Sequence, residues 1–251
     1  MTEATDARAL LADRLAAVRA RVDAACAASG RPRGSVRVLL ATKTVDAARV
    51  RLALEADRAA VDADPSLAPV LVGENRVQEL VAKGPDLADL APTTHLIGPL
   101  QSNKVNAALR WVSCVESVAS PDLAARLSDR CTDRPAPLDV LVQVNVSGEE
   151  TKHGVPLGDA AALAVDVAAL PGLRLAGFMT VGLRSPDADA VGAGYAALAA
   201  LRDDVLRSGE PGTAEARTLS MGMSGDLEVA VAHGATLVRV GSAVFGARPQ
   251  P

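Results

Sequence analysis

Aromatic side chains are nearly missing from this chain: one tryptophan, one tyrosine and two phenylalanines in 251 residues. That leaves few faces on which bases could stack, and a formal net charge of −4 provides no basic field for a polyphosphate backbone. General nucleic-acid binding is therefore disfavoured. Cysteine is scarce as well: Cys26, Cys114 and Cys131 are odd in number and far apart, which fits neither a disulfide framework nor a zinc pattern. Cys114 lies in an apolar stretch and reads as a small core residue. His95, His153 and His233 share no ligand spacing, so a metal site is not expected. No apolar run is long enough to span a bilayer, and the N-terminus carries acids where a secretory signal would carry lysines. The expectation is a soluble cytoplasmic protein with no membrane partner.

What is present is an alternation. At 251 residues the chain has the usual size of one (β/α)8 barrel or of two small domains. From Asp6 to Ser29, Leu10, Leu11, Leu15, Val18 and Val22 recur at helical spacing before Gly30, predicting an amphipathic helix packed on the outside of the domain. Apolar strand-length runs then begin at Val36, Val70, Thr94, Trp111, Leu138, Leu173, Thr218 and Thr236, with helical patterns between them. Asp57 to Pro69 is acidic and proline-bearing and reads in part as an exposed loop. Val77 to Lys83 reads as a helix stopped by Gly84-Pro85. Strict β, α, β, α order with short connections predicts parallel strands joined by right-handed crossovers. Eight such units with a leading helix favour a closed (β/α)8 barrel in one domain over 1–251, the segment 1–30 lying outside it. No G-x-G-x-x-G follows the first strand, which argues against a dinucleotide sheet.

The chemistry gathers at the two ends of the chain. Leu219-Ser-Met-Gly-Met-Ser-Gly-Asp226 and Leu237-Val-Arg-Val-Gly-Ser-Ala-Val-Phe-Gly246 each break from an apolar run into small residues, the pattern of an anion seat. Asp226 to His233 reads as a helix with Ser224 at its N-cap or one residue before it. In closed barrels a phosphate often rests between the loops after strands seven and eight. Arg239 is a cation inside an apolar strand, and a buried charge needs a partner. Lys43 ends the first strand, where barrel enzymes place catalytic side chains, and closure makes strand one the neighbour of strand eight. An amine held in a dry, partly cationic rim is suited to Schiff-base chemistry. Asn75, His95, the run Gln101 to Lys104, Asn145 and Met179-Thr180 crowd the same rim, whereas the loop from Glu149 to Gly154 reads as solvated.

These residues carry a resemblance. Leu40-Ala-Thr-Lys43-Thr, Gly73-Glu-Asn-Arg-Val-Gln-Glu79, His95-Leu-Ile-Gly-Pro-Leu-Gln-Ser-Asn-Lys104, Val144-Asn-Val-Ser-Gly-Glu-Glu-Thr-Lys-His-Gly154, Gly177-Phe-Met-Thr180, Leu219-Ser-Met-Gly-Met-Ser224 and Val238-Arg-Val-Gly-Ser-Ala-Val-Phe-Gly-Ala-Arg248 resemble, in order, the pyridoxal phosphate homeostasis protein family. The resemblance implies a barrel similar to the N-terminal domain of alanine racemase, holding pyridoxal 5′-phosphate (PLP) as an aldimine of Lys43. It implies cofactor contacts at Asn75, Met221, Ser224, Arg239, Gly241 and Ser242, with Arg239 facing either the phosphate or the pyridine nitrogen. It further implies a role in vitamin B6 homeostasis, as a carrier or regulator serving apo PLP-dependent enzymes, in a monomer or weak dimer and without robust catalysis. The alternative is an amino-acid racemase, which needs a second acid/base group facing the lysine. In alanine racemases that group is a tyrosine from the C-terminal domain of a partner subunit. Here the single tyrosine, Tyr195, is expected on the outer ring of helices, and the chain ends at Pro251, soon after the eighth strand. Val72 and Arg76 depart from the family's pattern, which has aromatic residues there.

Overall fold

The computed structural model describes residues 2–149 and 152–246, with side chains from Thr5 onward. Its first element, α1 (Thr2–Ala28), buries Leu11, Leu15, Val18, Val22 and Ala25 at alternating steps of four and three, with Cys26 beside the last, so one stripe faces inward. Eight parallel strands form the barrel: β1 (Arg37–Ala41), β2 (Leu71–Glu74), β3 (Thr94–Leu96), β4 (Cys114–Val118), β5 (Leu138–Asn145), β7 (Leu173–Met179), β8 (Thr218–Met223) and β9 (Leu237–Val240). A two-residue strand, β6 (Val155–Pro156), pairs with the end of β5 outside the ring. The first and last barrel strands pair from Arg37↔Leu237 to Leu40↔Val240, and β4 pairs with β5, so the sheet closes on itself as a (β/α)8 barrel. The two ends of the chain therefore meet along one seam. The helices α4 (Val105–Ala108), α5 (Pro121–Cys131) and α6 (Ala160–Ala168) fill the crossovers from β3 to β7.

Most of the core lies between the strands and the helices, where Val38, Leu40, Val140, Val142, Leu175, Phe178, Leu219 and Val238 are buried together. The barrel interior holds two smaller apolar groups: Leu39, Leu71 and Leu237 beside Ile97, and Cys114, Leu141 and Met179 beside Ala176. Cys114 is thus a core residue, and burial pushes its thiol well above the ordinary range. Cys26, Cys114 and Cys131 are all free and buried. No helix among the described residues is long and apolar enough to cross a membrane.

Three local features are set by distant partners. The helix α2 (Ala47–Ala63) takes in the first part of the 57–69 stretch, and only the part after Ala63 is loop. Asp57 is buried because Arg19 of α1 donates to its Oδ1 at 2.6 Å and the Val70 N–H to its Oδ2 at 3.1 Å. A partner thirty-eight residues upstream neutralises what looked locally like a loop acid. The expected stop at Gly84-Pro85 needs correction: the helix α3 (Val77–Leu87) passes through it. Gly84 serves packing: a Cβ there would lie 2.4 Å from the ring of Trp111. Tyr195 lies, as expected, on an outer helix, α7 (Ala188–Ser208), where its side chain turns inward and is fully buried, donating to Asp226 Oδ2 at 2.7 Å.

Candidate functional site

The seam between β9 and β1 opens, at the C-terminal ends of the strands, into a cavity of about 560 Å³. Lys43, Asn75, Ser224, Arg239, Gly241 and Ser242 all line it, joined by Arg49, Ile97, Val181 and Met223. Met221 does not: it is fully buried in the helix-facing core, and its neighbour but one, Met223, is the methionine on the cavity. Regular alternation would put residues two apart on the same face, and the register shift of β8 against β9 between Ser220 and Met223 is what separates the two methionines.

Lys43 is held by its backbone. The peptide before it presents Thr42 O to Lys83 Nζ at 2.8 Å, and the peptide after it sends Thr44 N–H to Glu79 Oε2 at 2.7 Å. Lys83 also donates to Glu74 Oε1 (2.8 Å) and approaches Glu79 Oε2 (3.4 Å), while the Thr42 hydroxyl donates to Glu74 Oε1 at 2.6 Å. Thr44 sits at φ 63°, a left-handed conformation unfavourable for a β-branched residue. The clamp on both flanking peptides is what maintains that turn and aims the chain at Lys43. Asp46 then caps α2, accepting the Arg49 N–H at 2.8 Å.

Opposite Lys43, the small-residue turns are braced from behind by α1. Arg21 donates to Ser224 O (3.1 Å) and pairs with Glu228 of α8 (Leu227–Ala232); Arg14 donates to Val244 O (3.1 Å) in α9 (Ser242–Phe245). Asp226 rather than Ser224 is the residue before α8, and its Oδ1 accepts the Met223 N–H, folding the loop back on itself. Ser224 thus lies two residues ahead of the N-cap, at the rim of the cavity. At α9 the first N–H groups have no acceptor inside the helix, and these follow Gly241, where a Cβ would lie 3.1 Å from Ala41 O of β1.

Arg239 finds its partners inside the barrel. It is 6% exposed, donates through Nη1 to Ser220 Oγ at 2.8 Å and through Nη2 to Thr180 O at 2.6 Å. The Ser220 hydroxyl donates to Glu116 Oε2 at 2.5 Å, and Glu116 Oε1 lies 2.6 Å from His95 Nδ1. A chain of polar contacts therefore crosses the interior from His95 to Thr180. Burial lowers the Arg239 pKa, and the carboxylate of Glu116 opposes that change. Glu116, Ser220, Glu74 and Lys83 were not singled out by sequence. The available signal was that Glu116, like Arg239, is an isolated charge in an apolar strand.

A second cavity of about 500 Å³ adjoins the first across Asn75, Ile97 and Val181, and Arg76 and Lys104 line it together with His153. Glu150 and Thr151 of the neighbouring loop lie outside the described residues, as does Arg248. Among the described residues no cluster of three His, Cys, Asp or Glu side chains could hold a metal.

The chain is similar to known proteins over nearly its whole length. The family model for the alanine racemase N-terminal domain matches residues 14–249. A protein of Pseudomonas aeruginosa called pyridoxal phosphate homeostasis protein is 43% identical over 241 residues, covering 95% of this chain and 96% of that one. The chain belongs to the pyridoxal phosphate homeostasis protein family. Among solved structures, a protein of unknown function from Bifidobacterium adolescentis is similar at 38% identity, with a TM-score of 0.86 over 96% of each chain. PipY of Synechococcus elongatus, solved with PLP bound, matches at 30% identity and a TM-score of 0.77, covering 94% of this chain and 100% of that one.

Proposed function

We propose that this protein binds PLP through Lys43 and acts in vitamin B6 homeostasis as a carrier or regulator. The observation that carries the reading is the single cavity on the β9–β1 seam, where an amine, an anchored guanidinium and two small-residue turns meet. The residues fit the group: the cavity is roomy enough for a phosphorylated pyridine ring, and its turns at 224–225 and 241–242 bring backbone rather than bulky side chains to its wall. When bound, PLP supplies an aldehyde with which the Lys43 amine condenses. Ser224, Gly241 and Ser242 receive the phosphate. Arg239, held from behind by Ser220 and Thr180 O, presents its guanidinium to the ring, and Asn75 closes the side toward the second cavity.

A carrier must hold the cofactor without consuming it. The sequence's one tyrosine supports this, since it is buried against Asp226 and unavailable as a base facing Lys43. The test is transfer. Protein loaded with PLP and freed of excess should restore an apo PLP-dependent enzyme in proportion to the loaded protein added, and the Lys43→Ala variant treated identically should restore none. Retention of all PLP against a tight apoenzyme, or equal restoration by Lys43→Ala, would contradict the reading.

A further inference from the structure

Outside the barrel, between α3 and the strands β2 and β3, lies a separate cavity of about 220 Å³. Val72, Leu80, Leu87 and Pro92 give it apolar walls, and Trp111 forms one side. Glu74 also lines it, and Glu74 is 2% exposed. Its Oε1 accepts from the Thr42 hydroxyl and from Lys83, yet its Oε2 is buried and accepts no hydrogen bond among the described residues. A buried carboxylate oxygen without a donor is costly. Glu79, the other carboxylate on Lys83, does not line the cavity, so the unmet need there is a donor for Glu74 Oε2. Arg110 also lines the cavity but is exposed, so solvent screens it from a ligand seated at the buried Glu74.

We propose that this cavity is an effector site for a small ring-bearing cation of the amidinium or ammonium class. Its charge-assisted N–H donor satisfies Glu74 Oε2, and its ring packs among the apolar walls beside the Trp111 indole. The site is built into the clamp on Lys43. Glu74, Glu79 and Lys83 are the groups that hold Thr42 and Thr44 on either side of that lysine, so a ligand that draws on Glu74 alters how the clamp grips the turn. The link to the cofactor rests on the function proposed above, whereas the binding itself does not.

Titration calorimetry with benzamidine, which carries the charge without a nucleophilic amine, tests the site on apo and PLP-loaded protein. Saturable one-to-one binding is expected, with the neutral analogue benzamide weaker by about tenfold or more, the difference a charge-assisted hydrogen bond makes. Glu74→Gln and Ala88→Leu, the latter filling the cavity from an exposed position, should each weaken benzamidine by at least about tenfold. Ala88→Leu should leave PLP binding and the melting temperature unchanged, which covers the case in which Glu74→Gln does not fold. Benzamidine should also change the PLP dissociation constant of the unaltered protein and not that of Ala88→Leu. No saturable binding up to about 10 mM, equal affinity for benzamide, or affinity untouched by both substitutions would overturn the site. A crystal soaked in benzamidine that shows an ordered water only at Glu74 Oε2 would do the same. Binding that leaves the PLP constant unmoved would overturn the effector role, and a failure of PLP to bind at all would appear separately in the PLP titration.

Discussion

Glu116 and Arg239 do not touch, yet the structure makes them one electrostatic unit: Arg239 Nη1 reaches Ser220 Oγ at 2.8 Å and that hydroxyl reaches Glu116 Oε2 at 2.5 Å. Both side chains are buried, so removing either charge leaves the other uncompensated in a low-dielectric interior. Breaking such a pair from one side costs about 3–5 kcal/mol, and the intervening hydroxyl argues for the lower end, about 3 kcal/mol. For a chain near 250 residues each kcal/mol moves the melting temperature by about 2 °C, so Glu116→Gln and Arg239→Met should each lower it by about 6 °C. The double variant removes both charges together. Its cost should fall short of the sum by about 2 kcal/mol, placing its melting temperature close to that of the single variants rather than about 12 °C down. Thermal melts followed by circular dichroism should use apo protein, because a ligand bound to the native state raises apparent stability by itself. Additive losses, within about 0.5 kcal/mol, would show that the two charges are independent and that the path through Ser220 carries nothing.

Three further outcomes are expected. Gly98→Ala places a Cβ 2.1 Å from the Asn75 carbonyl oxygen, so it should displace Asn75 and weaken PLP binding by roughly fivefold to tenfold, about one hydrogen bond, as read by equilibrium titration. Burial, and then its hydrogen bond to Asp226, pushes the Tyr195 phenol well above its ordinary value of 10.0. The folded state thus holds that proton more tightly than the unfolded one, so this stabilisation is full below about pH 10 and is lost as pH rises further. The stability difference between the unaltered protein and Tyr195→Phe should therefore shrink above about pH 10 in a pH series of melts, and a difference that grew there would refute the assignment. Loaded protein incubated with L-alanine, L-serine and L-glutamate should show no racemization near about 1 s⁻¹, the low end of typical enzymes, when enantiomers are resolved by chromatography.

How much of this was legible in the sequence depended on whether the deciding partner was local. Apolar runs buried on both faces gave the strands from Val36 to Val240 directly, and their order gave the barrel. Closure then brought Lys43 beside Arg239 and Gly241, two ends of the sequence joined by the pairing of β1 with β9. Asp57 could not be read, because its burial depends on Arg19 in another helix. Gly84 looked like a stop because glycine often is one, whereas here its missing side chain makes room for Trp111. The clamp on Lys43 and the Glu116 to Arg239 path were hidden for the same reason. Each is assembled from strands and helices that only the closed barrel sets side by side, and no spacing within one element announces them.

The central claim is that Lys43 is the residue that carries PLP, and its most direct test is chemical. Protein incubated with PLP and freed of excess should show a visible absorbance band that borohydride bleaches. Digestion of the reduced protein should then place the added mass of the cofactor on one peptide, the one containing Lys43, and Lys43→Ala should show neither band nor adduct. A reducible adduct that persists in Lys43→Ala, or that maps to Lys83, Lys104 or Lys152 in the unaltered protein, would contradict the account.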